Sequence, residues 1–342
     1  MITRYFKQTI KAKLFVKRIM KTILLLVFLV CGINFFIDPL YTWQGNGKIN
    51  LKRKDFDERI QKTNFLANIN NNYDAILLGN SRSTYLDSSR FNLGVNIYNY
   101  SVNAMSIYEY DQVILNFIEL TGNEPKVILI GIDPFDFPGN KTNSLKEILD
   151  NRNDLIQKTR NLLSLDMFKF SLETIIKTFQ VDFNVEDRKQ RYYDNNLIKG
   201  STSQNIISNE KYIKTNSNNL IYDVDFSLFE EYRKLKEKYK NSKFIVYCLP
   251  FHKDLIEDWQ KDNKFYEKNE KFIYKLLDIF HEVYYFNYMS SYNSSYFDYY
   301  DTYHFYPYLG NIIVDNINEL YVNKKADFGY IINKDNYKLG FK

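Results

Sequence analysis

The run from Thr22 to Ile37 (TILLLVFLVCGINFFI) is apolar apart from Asn34. No chain folds around such a run without hiding it, and the residues in front of it indicate where. Residues 1–21 hold Arg4, Lys7, Lys11, Lys13, Lys17, Arg18 and Lys21 and no acidic side chain. The run is a little short for a membrane-spanning helix, which wants about 20 residues. Snorkelling at Lys21, with Leu40, Tyr41 and Trp43 at the far side, lengthens it. The positive-inside rule then puts residues 1–21 in the cytoplasm and everything after Asp38 outside the cell membrane. A cleaved signal peptide would need small residues after the run. Asp38-Pro-Leu-Tyr-Thr-Trp43 offers none. A buried core helix would leave the acid-free basic flank unexplained. The chain reads as a single-pass protein held by a signal anchor.

The anchor changes the meaning of the charge. The net +5 belongs to the basic end, because the remaining residues hold 39 Lys and Arg against 41 Asp and Glu. A nucleic-acid partner is therefore not expected. Two cysteines, Cys31 in the apolar run and Cys248 on an expected strand, exclude a disulfide scaffold. The expected organisation is a basic tail (1–21), an anchor (22–43), a linker with one helix at Asp55–Ile69 (44–72), and one extracytoplasmic domain (73–342).

Within that domain, short apolar runs alternate with amphipathic segments. Asp74–Gly79, Val95–Asn99, Lys126–Gly131, Lys243–Leu249 and Glu282–Phe286 read as strands. Ile107, Tyr110, Ile114, Phe117 and Ile118 mark one helix face, and Pro307 opens the last helix, with Leu309, Ile313, Ile317 and Leu320 along one side. A charged helix over Leu228–Lys240 and a helical hairpin over 254–280 complete the rhythm. The fold class is α/β with a parallel sheet and crossover helices. An insertion at about 140–225 interrupts it, with helices near 142–164 and 166–179 and a polar stretch from Glu186 to Asn219 that reads as a lid, a binding loop or a mobile segment. No dinucleotide or phosphate-loop fingerprint is present, and no cofactor is expected.

Open parallel sheets bind ligands at the carboxyl ends of their strands. The first strand ends in Gly79-Asn80-Ser81-Arg82, the third in Gly131-Ile132-Asp133, and Asp301-Thr302-Tyr303-His304 precedes the last helix. A loop Asp three residues before a His can orient the imidazole, which can then take a serine proton. Each piece has an ordinary explanation too. A Ser after a Gly-ended strand is common, and Asp278-Ile-Phe-His281 is a second Asp-x-x-His at a helix end, where a solvated pair is expected. His252, after Leu249-Pro250-Phe251, either lines the site or caps the next helix. The three histidines lack metal-ligand spacing, so no metal site is expected.

Together these motifs resemble the SGNH (GDSL-like) hydrolase superfamily, through Leu78-Gly79-Asn80-Ser81 and Asp301-x-x-His304. More narrowly the chain resembles the membrane-anchored SGNH-like proteins of bacterial envelopes. The shared segments are Gly79–Arg82, Tyr98–Ser101 followed by Ile107–Glu109, Gly131–Asp133 and Pro250–His252. The resemblance covers roughly 73–138 and 243–320. It implies a three-layer, flavodoxin-like domain with Ser81 as nucleophile, His304 as general base and acid, and Asp301 as its orienter. Asn103, or a residue beside it, and the Ser81 amide are the implied oxyanion donors. Asp133 stands where the hydrolases carry an Asn donor, although the envelope group has Asp there as well. A carboxylate aimed at an oxyanion raises the barrier. So Asp133 is protonated, or Arg82 neutralises it, or the oxyanion sits elsewhere, or catalysis is lost.

The leading expectation is an acyltransferase or esterase acting on acyl groups, acetyl first, of a cell-surface glycopolymer. The resemblance implies a multi-span membrane acyltransferase as partner and Arg82 as the holder of an anionic part of the substrate. Tyr296, Tyr299, Tyr300, Tyr303 and Tyr306 would offer stacking faces for sugars, although 30 Tyr in the chain make such clusters ordinary. The alternatives are a non-catalytic assembly or glycan-binding protein on the same fold, and an esterase working alone on small substrates.

Overall fold

A computed structural model describes residues 2–43, 58–68, 72–134, 154–179, 203–216, 224–299 and 301–338, together with 145, 148 and 149. Most of the linker, the part of the insertion near 142–153, most of the polar stretch from Glu186 and Tyr300 lie outside the described residues. Helix α1 (Ile2–Ile37) carries the basic segment and the apolar run without a break. From Lys11 to Ile37 it is long and apolar enough to cross a membrane. It is followed by α2 (Glu58–Asn68), β1 (Ala75–Leu78), β2 (Ile97–Asn99), α3 (Ile107–Thr121) and β3 (Val127–Gly131). Then come α4 (Leu155–Leu163), α5 (Leu165–Phe179), α6 (Ser203–Asn216), α7 (Phe229–Lys238) and β4 (Lys243–Cys248). The chain closes with α8 (Lys253–Trp259), α9 (Phe265–Phe280), β5 (Val283–Tyr285), α10 (Pro307–Asn323) and β6 (Tyr330–Ile332).

The six strands form one sheet in the order β2-β1-β3-β4-β5-β6. The first five are parallel, and β6 pairs antiparallel with β5. The parallel part has a doubly wound order whose direction reverses between β1 and β3. Strand side chains alternate between faces, and the buried residues divide the same way. Ile76, Leu78, Ile128, Ile130, Val246 and Cys248 share a cluster with residues of α3, α7 and α9. Ala75, Leu77, Val127, Leu129, Ile245 and Tyr247 share another with Leu309, Ile313 and Ile317 of α10. Helix α3 begins at a capping box, with the Ser106 side chain on the Tyr108 N–H and Glu109 reaching back to the Ser106 N–H, and stops at left-handed Gly122.

Several sequence expectations change here. Leu40 and Tyr41 do not prolong the exposed apolar face of α1. They are buried in the globular body, and Gln61, Asn64 and Asn68 of α2 donate to the carbonyls of Pro39, Leu40 and Tyr41. Asp38 closes the joint by accepting from the Thr42 and Trp43 N–H groups. Helix α2 is thus part of the body, not of a free linker. The polar stretch contains helix α6, which seats Ile213 in the α10-side cluster. Strand β6 was not expected. Asp278 pairs with Arg233 (2.9 Å) and Lys334 (3.2 Å), while His281 ends α9 with φ 66°.

Candidate active site

Strand β1 ends at Gly79, and the chain turns at once. A side chain is excluded there because an added Cβ would lie 2.3 Å from Ser83 Oγ; Gly131, at the end of β3, meets the same atom at the same distance. The two glycines let the turn after β1 fold down between the strand ends, where Tyr247 of β4 donates to Ser83 Oγ (3.1 Å). Asn80 Oδ1 accepts from the Arg82 N–H (3.0 Å), and Thr84 Oγ1 donates to the Ser81 carbonyl (2.6 Å). The turn is fixed from both sides, and Ser81, half-buried, sits at its tip.

The opposing loop is fixed as firmly. An antiparallel bridge between Tyr299 and Phe305 pinches it shut, and the Tyr306 N–H donates to the Asp298 carbonyl. Inside it, Asp301 Oδ1 accepts the Tyr303 (2.8 Å) and His304 (2.6 Å) N–H groups. Its Oδ2 lies 2.8 Å from His304 Nδ1. The far ring nitrogen, Nε2, lies 2.8 Å from Ser81 Oγ. An ionised carboxylate only accepts, so the network assigns the ring proton to Nδ1 and leaves Nε2 as the acceptor for the serine hydroxyl. Burial would push the Asp301 carboxyl up, but His304 and the two backbone N–H groups outweigh it and hold it below the usual value. Immediately after, α10 begins at Pro307. Its Gly310 lies so close to β1's exit that a Cβ would sit 2.3 Å from the Tyr85 carbonyl oxygen. That close approach sets the His304 loop against the Ser81 turn.

Arg82 joins these parts. It is 3% exposed, and its guanidinium pairs with Asp133 after β3. The same group donates to the Pro250 carbonyl after β4 (2.5 Å) and the Tyr303 carbonyl (2.9 Å), and lies over the Phe251 ring at 3.9 Å. Asn80 Nδ2 supplies a second bond to Asp133 Oδ2 (2.8 Å). A rigid five-donor fork suits such a junction. Each guanidinium nitrogen of Arg82 thus has one protein acceptor, and the group pairs with Asp133 while lining the cavity described below.

The other expected residues fall elsewhere. The Asn103 N–H is held by Glu58 and its carbonyl by Arg59. Asn103 lies outside the cavity described below, and the left-handed backbone of its loop comes one residue later, at Ala104 (φ 46°). His252 caps α8 through Nδ1, which accepts from the Asp254 N–H, stacks on Tyr296 (4.8 Å) and meets Tyr299 edge-on (5.2 Å). Burial lowers its pKa to about 4. The His252 N–H donates to the Thr302 carbonyl, so its segment steadies the Asp301 loop from behind. Of the two roles open to it in the sequence, His252 takes the capping one.

Asn80, Ser81, Arg82, Asp133, Phe251, Tyr303 and His304 line a cavity of about 130 Å³. That holds roughly four waters, well below the ~300–1,000 Å³ of drug-sized sites. It lies at the switch point between β1 and β3. Asn80 and Phe251 carry no role in the sequence reading, though each lies within a motif that does, whereas Tyr303 is one of the tyrosines expected there to offer a stacking face. Among the described residues no cluster of His, Cys, Asp and Glu is arranged to hold a metal. The Ser81 N–H meets no acceptor among the described residues and is a candidate donor to an oxyanion. The arrangement can pass a serine proton to a histidine whose developing charge faces a carboxylate. In comparisons with known proteins, the chain matches no family model and no curated protein sequence.

Proposed function

We propose that the chain is a membrane-anchored serine acyltransferase or esterase of the SGNH-like, three-layer type, acting on short acyl groups of a cell-surface glycopolymer. The observation that carries this reading is the continuous Ser81–His304–Asp301 relay, with 2.8 Å at both ring nitrogens. Acetyl is the acyl group the small cavity favours. Helix α1, with its basic N-terminal end, supports an anchor with the N-terminus cytoplasmic and the main domain outside. A multi-span membrane acyltransferase is the partner this reading implies as acyl donor.

The chemistry follows the relay. Ser81 Oγ attacks the acyl carbonyl as His304 Nε2 takes its proton, while Asp301 faces the imidazolium. The carbonyl oxygen becomes the oxyanion, with the Ser81 N–H within the same turn as a donor. Collapse expels the donor's alcohol or thiol, which receives the proton from His304 and leaves an acyl ester on Ser81. A sugar hydroxyl, or water, gives its proton to His304 and attacks the ester, and His304 returns that proton to Ser81 Oγ as the new acyl product leaves. With Arg82 across it, Asp133 is a paired carboxylate, which lowers the electrostatic cost that an unpaired one would impose on that oxyanion.

The test uses the full chain in detergent with an activated acetyl ester. Mass spectrometry of the quenched protein is expected to show an acetyl adduct on Ser81, absent in Ser81→Ala. No adduct on any time scale, with the protein folded, would leave the non-catalytic glycan-binding alternative in its place.

A further inference from the structure

Helix α1 is exposed from Lys11 to Leu29 and covered only over its last two turns, Val30–Ile37. Two turns measure roughly 11 Å. Part of that cover comes from the α4–α5 hairpin, and the contact is polar at its centre. Asn34, the one polar side chain within the apolar run, is 3% exposed. Its Nδ2 donates to the carbonyls of Leu162 (2.9 Å) and Ser164 (3.0 Å) at the hairpin turn, and its Oδ1 accepts from Ser171 Oγ (3.0 Å). Small buried residues of α5, Ser171 and Thr174, face this contact, as small residues do where helices pack in lipid.

The other side of the hairpin is uncovered and apolar. Leu165 is 73% exposed, Ile156 65%, Ile176 57% and Leu163 52%. Leu165, Leu172 and Ile176 stand seven and four residues apart, one above another on α5. This surface continues that of α1, where Phe35 and Phe36 are also exposed. Leu155–Phe179 holds Lys158, Arg160, Lys169 and Lys177 against Asp166 and Glu173. Lys158 lies 5.8 Å from the ring of Trp43, just past the end of α1.

We infer that the α4–α5 hairpin is a second membrane-seated element, embedded beside the last two turns of α1 with Ile156, Leu163, Leu165, Leu172 and Ile176 in the acyl boundary. The inference rests on the reading that α1 spans the bilayer. Three observations select lipid as the occupant. The apolar face is continuous with the spanning helix. The covered length of α1, roughly 11 Å, is comparable with the ~5–10 Å depth reached by interfacial helices, and the excess of basic side chains suits anionic headgroups. Asn34 fits the same setting, since it satisfies the Leu162 carbonyl at the hairpin turn, which lipid would leave bare, and adds a second bond to the Ser164 carbonyl beside the Phe168 N–H.

The test places an environment-sensitive fluorophore on single cysteines, introduced by Leu172→Cys, Ile156→Cys, Leu26→Cys or Asn263→Cys in a Cys31→Ala chain. Cys248 is buried and stays. The full chain is reconstituted into phosphatidylcholine–phosphatidylglycerol vesicles. Labels at 172 and 156 are expected to lose most of their emission to nitroxide-bearing lipids and to resist iodide, as at 26, whereas 263 behaves oppositely. Iodide quenching at 172 and 156 with lipid quenching at 26 would overturn the inference and leave the spanning reading intact. Protection from both quenchers would also overturn it, because protein would then cover the face. Absence of lipid quenching at 26 would remove the spanning reading, and the inference with it.

Discussion

Arg82 and Asp133 form a buried ion pair beneath Ser81, with side chains 3% and 6% exposed, and the pair ties the exit of β1 to the exit of β3. Its guanidinium also holds the carbonyls of Pro250 and Tyr303. One side chain thus locks four loops around a single cavity, and the position of His304 over Ser81 depends on it.

Removing one partner strands the other charge in the interior. Arg82→Ala is expected to destabilise the fold by about 3–5 kcal/mol. Arg82→Met combined with Asp133→Leu is expected to cost less than the sum of the single changes, with a coupling of roughly 1–3 kcal/mol. Arg82→Lys supplies a point charge that cannot serve all the acceptors, so it is expected to lose Ser81 reactivity while staying folded. Thermal unfolding of the full chain in detergent, read by tryptophan fluorescence, checks the first two. Additive single changes would contradict the junction role.

Two groups behind the site, His252 and Asp298, oppose each other between pH 6 and 4. His252 takes a proton near pH 4 when folded and near 6.5 when unfolded. The unfolded chain binds that proton first, so lowering the pH from 7 toward 4 removes stability, of order 2–3 kcal/mol. Burial raises Asp298 to about 6 from 3.8, so there the folded chain binds first. Its contribution is full below 3.8 and is lost as pH rises through 6. Asp298→Asn is therefore expected to steepen the fall in melting temperature between pH 6 and 4. His252→Asn, which keeps a capping acceptor, is expected to flatten it. Unchanged slopes in both would contradict the burial of these groups.

The end of α1 is part of the domain, so truncation has a defined boundary. A chain starting at residue 44 lacks Leu40 and Tyr41 and the carbonyls that Gln61, Asn64 and Asn68 use. It is expected to be less stable than a chain starting at residue 37 by about 3 kcal/mol or more. Urea unfolding of the two fragments measures the difference, and equal midpoints would contradict the docking of this joint.

What the sequence reveals follows from how far each interaction reaches. The strands at Ala75–Leu78 and Val127–Gly131 are continuous apolar runs, so their burial on both faces is written locally. Ser81, Asp301 and His304 can be picked out because they follow strand ends or precede the last helix. The role of Arg82 cannot, because its partners stand 51, 168 and 221 residues away. Strand β6 is three residues long and is defined by its pairing with β5, with no period of its own. Leu40 and Tyr41 look like an interfacial fringe because their neighbours in sequence are membrane-like, while their partners lie on α2. His252 turns inward as a cap because Tyr296 and Tyr299 close over it, a contact that spacing does not encode.

If Ser81 is a nucleophile activated by His304, which Asp301 orients, it reacts with electrophiles that its neighbours do not. A serine-directed fluorophosphonate probe applied to the detergent-solubilised full chain tests this most directly. One phosphonyl adduct is expected, on Ser81, absent in Ser81→Ala and slowed by about 10³–10⁴ in Asp301→Asn, where the imidazole loses its orienting carboxylate. A folded chain that takes up no probe, or that labels equally with Ser81→Ala, would contradict it.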